Sequence, residues 1–300
     1  MSAAEPPQGA NCALSGGSAA AKPQAWGDHT SDTVKIGGAT RLFAIIGDPV
    51  AQVRSPAVYT ERFAREGIDA VMIPVHVPAA QFDAIVPGLL GIANLDGVLV
   101  TVPFKGRMLP FADRLGATAA CIGAVNALRR EADGTWTGDM FDGEGFVQAA
   151  HHKGLGVEAR RVALFGAGGA GSAIACALAR AGAASIVVID PDEARARVLT
   201  ARLGAAFPSV VFACADAVPH GSDMVVNATP VGMKDADGLP GAIAGFGPDA
   251  VIGDVVIRET PTPIIRLAER ERVPYVTGLD MHAGQADALM AFLAPSRARR

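Results

Sequence analysis

Residues 162–171, VALFGAGGAG, constrain this chain more than any other stretch: an apolar run stops in a glycine-rich turn, and an alanine-rich helical pattern begins at once. That order describes a strand, a tight turn and a helix whose N-terminus faces the strand end, the local arrangement that receives a dinucleotide pyrophosphate. Gly166 permits the turn, Gly168 lets backbone approach the diphosphate, and Gly171 lets a helix predicted over 169–180 pack on the strand, while Ala167, Gly169 and Ala170 complete the loop. Asp190 ends the next apolar run, SIVVID, 19 positions beyond Gly171, where a carboxylate accepts hydrogen bonds from the adenosine ribose hydroxyls.

A chain of 300 residues has room for two domains of ordinary size. Half its residues are hydrophobic and 19% charged, the composition of a globular protein rather than a disordered one. The net charge of −4 and pI near 5.9 give no electrostatic footprint for a nucleic acid, and no apolar run reaches the roughly 20 residues of a membrane span. Cys12, Cys121, Cys176 and Cys214 form no C-x-x-C pair, and the six histidines show no metal-ligand spacing, so no metal is expected. Cys176 and Cys214 read as small core residues in a protein of a reducing compartment, which places it in the cytoplasm. Residues 1–38, rich in Ala, Gly, Ser and Pro and without the basic and apolar regions of a secretory signal, read as a disordered tail.

Beyond that tail, apolar runs alternate with helical patterns. Strands are expected at 41–47, 70–75 and 96–102, with helices at 55–66 and 79–90, as a parallel α/β layer. A hairpin follows, 125–128 with 135–137, turned at Asp133–Gly134, and a helix over 143–152 leaves it. A second α/β series carries strands at 162–165, 185–189, 210–213, 224–227, 251–254 and 275–277 and helices at 169–180, 191–203 and 263–272. Two open sheets thus join near residue 143, and a last helix, 281–293, returns to the first. The domains are then 39–143, completed by a C-terminal helix within 280–300, and a Rossmann domain at 144–279.

Three strings add chemistry: VTVPFK at 100–105, GAVNAL at 123–128 and GDMFDG at 138–143. They put Lys105, Asn126 and Asp142 at the ends of apolar strands, where open α/β sheets bind ligands. A Lys and an Asp in one cleft suit reversible oxidation of a secondary alcohol: the pair takes the hydroxyl proton as hydride leaves, and the ammonium stabilises the developing alkoxide.

With IIGDPVAQVRSP at 45–56, GAGGAGSA, VNATPVGM at 226–233, Asp254 followed by Thr262-Pro263, and Gly278-x-x-Met281-x-x-x-Gln285, these strings resemble the shikimate/quinate dehydrogenase family over about residues 41–293. The resemblance implies an α/β fold with an N-terminal α/β substrate-binding domain, a C-terminal NAD(P)-binding Rossmann domain and a cleft between them. It implies Lys105 and Asp142 as the catalytic pair, with Ser55, Thr101, Asn126 and Gln285 on the substrate. It also places Asn227, Thr229, Pro230, Gly278 and Met281 beside the cofactor, and makes the partner a small alicyclic hydroxy acid, bound by a monomer or homodimer.

The departures from the family pattern are directional. Two serines usually flank one residue and hold the substrate carboxylate; here the three are Val53, Arg54 and Ser55. Leu99 stands for a usual Asn, Met140-Phe141 for Asn-Thr, and Ile257 for a Tyr. If those side chains face the pocket, the ligand carries fewer hydroxyls than shikimate, or carries them elsewhere. Arg54 reads as solvent-facing. At the end of the second Rossmann strand, Asp190-Pro191-Asp192 replaces the Asn-Arg-Thr of members that favour NADP, so NAD is expected, with NADP still possible through Arg195 and Arg197. Two rival readings remain at this stage: a metabolite or NAD sensor that keeps the fold without turnover, and a dehydrogenase of an unrelated small hydroxy compound.

Overall fold

The computed structural model describes residues 35–243, 245–247 and 249–293. Of the expected tail, residues 1–34 lie outside this range; residues 35–38 lead into a turn in which the Gly37 N–H donates to Thr40 Oγ1 at 2.9 Å.

The first series comprises β1 (Arg41–Gly47), α1 (Ser55–Arg65), β2 (Ala70–His76), α2 (Phe82–Leu90), β3 (Leu95–Val100), β4 (Arg114–Leu115), α3 (Ala117–Ile122), β5 (Ala127–Arg130), β6 (Trp136–Asp139) and α4 (Asp142–His152). Its strands lie in the order β2-β1-β3-β5-β6-β4. β1 is parallel to both β2 and β3, but β5 runs antiparallel to β3 and to β6. The expected all-parallel layer is therefore a mixed sheet, because the hairpin joins its edge instead of forming a separate ribbon. β3 ends at Val100, two residues early: Pro103 has no N–H for a ladder, and the chain turns instead, with the Phe104 N–H on Thr101 O at 3.0 Å.

The second series comprises β7 (Arg161–Phe165), α5 (Gly169–Arg180), β8 (Ser185–Ile189), α6 (Glu193–Ala206), β9 (Val211–Cys214), β10 (Met224–Asn227), β11 (Val251–Asp254), α7 (Pro263–Glu271) and β12 (Tyr275–Val276). Its strand order, β12-β11-β10-β7-β8-β9, is parallel throughout. The chain reverses its winding direction at β7, so the crevice at the ends of β7 and β10 is the switch point at which such sheets bind ligands. α6 begins after Asp192, whose side chain caps the Arg195 N–H at 3.1 Å, and not at Pro191 as expected. Cys176 is buried as expected, but Cys214 is exposed: it ends β9, which lies at the sheet edge.

The expected helix over 281–293 is two helices, α8 (Gly278–Gly284) and α9 (Ala286–Leu293). α8 opens with a capping box between Thr277 and Asp280 and crosses α4 at backbone contact. A Cβ at Gly284 would lie 2.3 Å from Gly145 O, and one at Gly143 would lie 2.1 Å from Ala173 O in α5. α4 is thus wedged between α5 and α8, with only glycine fitting at these crossings. α9 then lays Leu289, Met290 and Leu293 on the first sheet, in one apolar cluster with Phe43, Ile45, Tyr59, Phe63, Leu99 and Phe141. Each such buried side chain contributes about 1.5–3 kcal/mol.

Candidate active site

Four segments meet at Asp142. As the first residue of α4, its carboxylate lies where a helix N-terminus favours negative charge. Lys105, in the turn after β3, donates through Nζ to Asp142 Oδ2. Asn126, just before β5, donates through Nδ2 to Asp142 Oδ1 at 2.8 Å and to Gln285 Oε1 at 3.3 Å, while its own Oδ1 accepts the Phe141 N–H at 3.0 Å. The Asn126 backbone is pinned as well: its carbonyl accepts from Val100 N and its N–H donates to Asp139 O. The Asp142 side chain is 4% exposed and that of Lys105 15%, so both charges are held in a site largely closed to water.

The glycine turn approaches this pair directly. A Cβ on Gly169, the first residue of α5, would lie 3.1 Å from Lys105 Cβ and 3.4 Å from its Cδ, so the lysine stem rests on the start of that helix. Gly166 adopts φ +98°, a conformation L side chains rarely take. At Gly171 a Cβ would stand 1.9 Å from Gly166 O; at Gly168 it would meet nothing within 4 Å. The glycine at 171 is therefore required by the fold itself, whereas that at 168 leaves room for another molecule's atoms. Gly168 caps α5 without a side-chain hydrogen bond, and the N–H groups of a first turn have no intrahelical partner. This cradle fits a pyrophosphate. Both Asp190 oxygens accept from backbone, Oδ2 from Ala167 N at 2.7 Å and Oδ1 from Asp192 N at 2.9 Å, which fixes the carboxylate beside the turn.

Asn227 organises the loop after β10. Its Nδ2 donates to Val231 O at 2.9 Å and to Asp254 Oδ1 at 3.0 Å, and its Oδ1 accepts from Thr229 N at 3.1 Å and Thr229 Oγ1 at 2.6 Å. Thr229 is thereby held beside the glycine turn, its Cγ2 3.0 Å from where a Cβ on Gly166 would stand. Gly278 is fixed by the fold, since a Cβ there would come within 2.6 Å of Val255 O. Met281 packs into the apolar cluster beneath the second sheet. Thr101 lies against Gly47 through Cγ2, four residues before Lys105 on the same turn.

Asp254 is buried behind this loop and accepts from Thr262 Oγ1, Asn227 Nδ2 and Val256 N. Burial pushes its carboxyl up to about 6, against the opposing pull of these hydrogen bonds. The folded state therefore holds this proton more tightly than the unfolded chain, so stability from this group is present below pH 4 and lost as pH rises through 6. The loss approaches about 3 kcal/mol. In denaturant titrations at pH 4 and pH 7, the wild type is expected to lose about 2 kcal/mol relative to Asp254→Asn, the part of that loss falling between these two values; parallel behaviour of the two proteins would refute the assignment.

Sequence reasoning missed His282. This α8 residue, one after Met281 and three before Gln285, places Nε2 3.2 Å from Ser55 Oγ, itself the first residue of α1. Burial holds its imidazole below the usual range; the Asp142 carboxylate opposes this and the Arg54 guanidinium reinforces it. The spacing of the C-terminal motif could have drawn attention to it, but Ser55 is 227 positions away.

Val53, Leu99 and Phe141 belong to the one apolar cluster under α9. Met140 is buried in the other large cluster, and Ile257 is half-buried. Arg54 is exposed, as expected, and sits 3.5 Å from Glu259. Among the described residues no group of His, Cys, Asp and Glu could hold a metal ion, and no helix is long and apolar enough to cross a membrane.

Comparison with known proteins yields two family models. Residues 45–128 match the shikimate dehydrogenase substrate binding domain, and residues 161–247 match the F420-dependent NADP oxidoreductase family. Among curated relatives, the shikimate dehydrogenase (NADP(+)) of Rubrobacter xylanophilus is 36% identical over 251 residues, covering 81% of this chain and 87% of its own length. Among solved structures, the shikimate 5-dehydrogenase of Listeria monocytogenes in complex with shikimate and NAD is 26% identical with a TM-score of 0.75, covering 86% of this chain and 93% of that one. The 5-ketofructose reductase of Gluconobacter sp. strain CHM43 is 25% identical with a TM-score of 0.74, covering 86% and 94%.

Proposed function

The chain belongs to the shikimate/quinate dehydrogenase family, and from that premise we propose that Lys105 and Asp142 are the acid–base pair of a nicotinamide-dependent dehydrogenase of alicyclic hydroxy acids such as shikimate and quinate. The observation that carries the proposal is the buried Lys105–Asp142 contact, with the lysine stem resting on the first residue of the helix that opens the glycine turn. The nicotinamide cofactor supplies hydride acceptance and donation, and the residues assigned to it are those of the turn 166–171, Asp190, the loop at Asn227–Thr229–Pro230, and Gly278 with Met281. Each remaining step belongs to this chain's own side chains. Asn126 and Gln285 orient the substrate hydroxyls, with Ser55 and Thr101 at their other end. Lys105 Nζ donates a hydrogen bond to the reacting oxygen and stabilises the alkoxide as the carbon loses hydride. Asp142 receives the departing proton through Lys105 and passes it on during reduction. Oxidation releases a proton, so it is favoured at alkaline pH.

For the cofactor we infer a preference for NAD. Asp190 and Asp192 put two carboxylates at the end of β8, where a 2′-phosphate would be repelled. The first two arginines of α6 are already paired, Arg195 with Asp192 at 3.3 Å and Arg197 with Glu193. The relatives named for NADP(+) sharpen the test. Appearance of reduced nicotinamide is followed with shikimate and quinate against NAD and NADP, for wild type and Asp190→Asn, a change that keeps an acceptor for the Ala167 N–H. The wild type is expected to favour NAD, and the variant to raise the NADP-to-NAD ratio of kcat/KM at least about tenfold, equivalent to about 1.4 kcal/mol. A wild type that favours NADP overturns the cofactor reading, and absence of turnover with both ring acids overturns the substrate reading.

A further inference from the structure

The acid–base pair leaves the His282 imidazole without a part, yet the fold builds it into the same site. Nε2 is 3.2 Å from Ser55 Oγ. Three positions separate His282 from Gln285, so both side chains leave the helical run on one side. The charged groups that face it are Asp142 from α4 and Arg54 at the start of α1, and the Arg54 guanidinium is drawn outward to Glu259. Around Ser55, where the family carries a second serine, this chain has Val53, which shares an apolar cluster with Leu99 and Phe141. The α1 end of the site thus carries one serine hydroxyl and one imidazole, and the position of the other serine is apolar.

We propose that His282 contacts the substrate and, together with Ser55, binds one of its hydroxyl groups, so that the pocket takes uncharged polyhydroxylated rings at least as well as ring carboxylates. The proposal rests on the dehydrogenase reading above. A neutral imidazole offers one donor and one acceptor, as does a serine hydroxyl. Because Nε2 and Ser55 Oγ are hydrogen-bonded to each other, the serine oxygen only accepts where Ser55 donates to Nε2, and its O–H is free to donate where it accepts from Nε2; a substrate hydroxyl, itself donor and acceptor, matches either arrangement. A carboxylate only accepts, so it matches only the arrangement in which Ser55 O–H is free, and it lacks the second hydroxyl donor whose place Val53 takes.

The probes are shikimate and its methyl ester, the same ring without the charge, turned over with NAD by wild type, His282→Leu and His282→Gln. The wild type is expected to show a kcat/KM for the ester no more than threefold below that for the acid. His282→Leu is expected to raise KM at least tenfold while kcat falls less than threefold. His282→Gln, whose amide restores a donor and an acceptor near the Nε2 position, is expected to return KM to within threefold of wild type. A wild type that favours the acid tenfold or more, or a KM unmoved in His282→Leu, overturns the assignment while leaving the dehydrogenase reading intact. If His282→Leu does not fold, the glutamine variant and the acid-to-ester ratio decide. Absence of wild-type turnover with both compounds strikes the dehydrogenase reading itself, and the assignment of His282 with it.

Discussion

Lys105→Met is expected to lower kcat by about 10³-fold or more, the size of a lost general acid–base group combined with a lost electrostatic stabiliser. The substitution also leaves the Asp142 carboxylate, 4% exposed, without its cation. Breaking one side of a buried ion pair costs about 3–5 kcal/mol, so the single variant is expected to melt early, and lost turnover alone would not separate chemistry from folding. The pair Lys105→Met/Asp142→Asn separates them. The amide at 142 still accepts from Asn126 Nδ2, which now stands 2.8 Å from Oδ1, and no charge is left buried. The double variant is expected to regain most of the melting temperature and none of the turnover. Recovery of activity along with stability would show that Lys105 acts only by holding the fold. A metabolite sensor on this fold would keep its ligand affinity in both variants and show no wild-type turnover to lose.

Gly171→Ala is expected to damage the cofactor site and the fold together, whereas Gly168→Ala damages only the first. At 171 the new Cβ would stand 1.9 Å from the Gly166 carbonyl oxygen and 2.9 Å from its carbon. Both neighbours are backbone, so α5 must move off the turn that anchors it. Overpacking of this kind costs about 1–3 kcal/mol, and the displaced first turn no longer presents its N–H groups to the cradle. At 168 the new methyl meets nothing of the protein within 4 Å. An unchanged melting temperature with cofactor Kd raised at least tenfold is expected there, because the methyl enters the space assigned to the pyrophosphate. Unchanged cofactor affinity in Gly168→Ala would remove the cofactor from this turn.

Legibility of the fold and the site follows how local each cause is. The glycine turn could be read because its determinants lie within ten residues of one another. Most strands and helices could be read from their apolar periods for the same reason. The crossing of α8 on α4 depends on Gly284 meeting Gly145, and no period within 281–293 records that contact or the break into two helices. Cys214 looked like a core residue because its run is apolar, but burial of β9 depends on its place at the sheet edge, which is set by pairing order. Lys105 and Asp142, 37 positions apart, came into view only through strand-end placement and the family pattern. His282 and Ser55 meet across 227 positions of sequence, and neither placement signalled the other. The apolar departures at 53, 99 and 141 were legible one by one; their union in a single cluster under α9 was not.

The most direct measurement of the central claim uses shikimate carrying deuterium on the carbon whose hydroxyl is oxidised. It is incubated with the protein and NAD at alkaline pH, and the reduced cofactor is weighed by mass spectrometry. Transfer of the label to the nicotinamide ring by the wild type, and its absence in the Lys105→Met/Asp142→Asn protein, is the expected result. Reduced cofactor without the label, or label transfer undiminished in the double variant, would contradict the assignment of this buried pair to the chemistry.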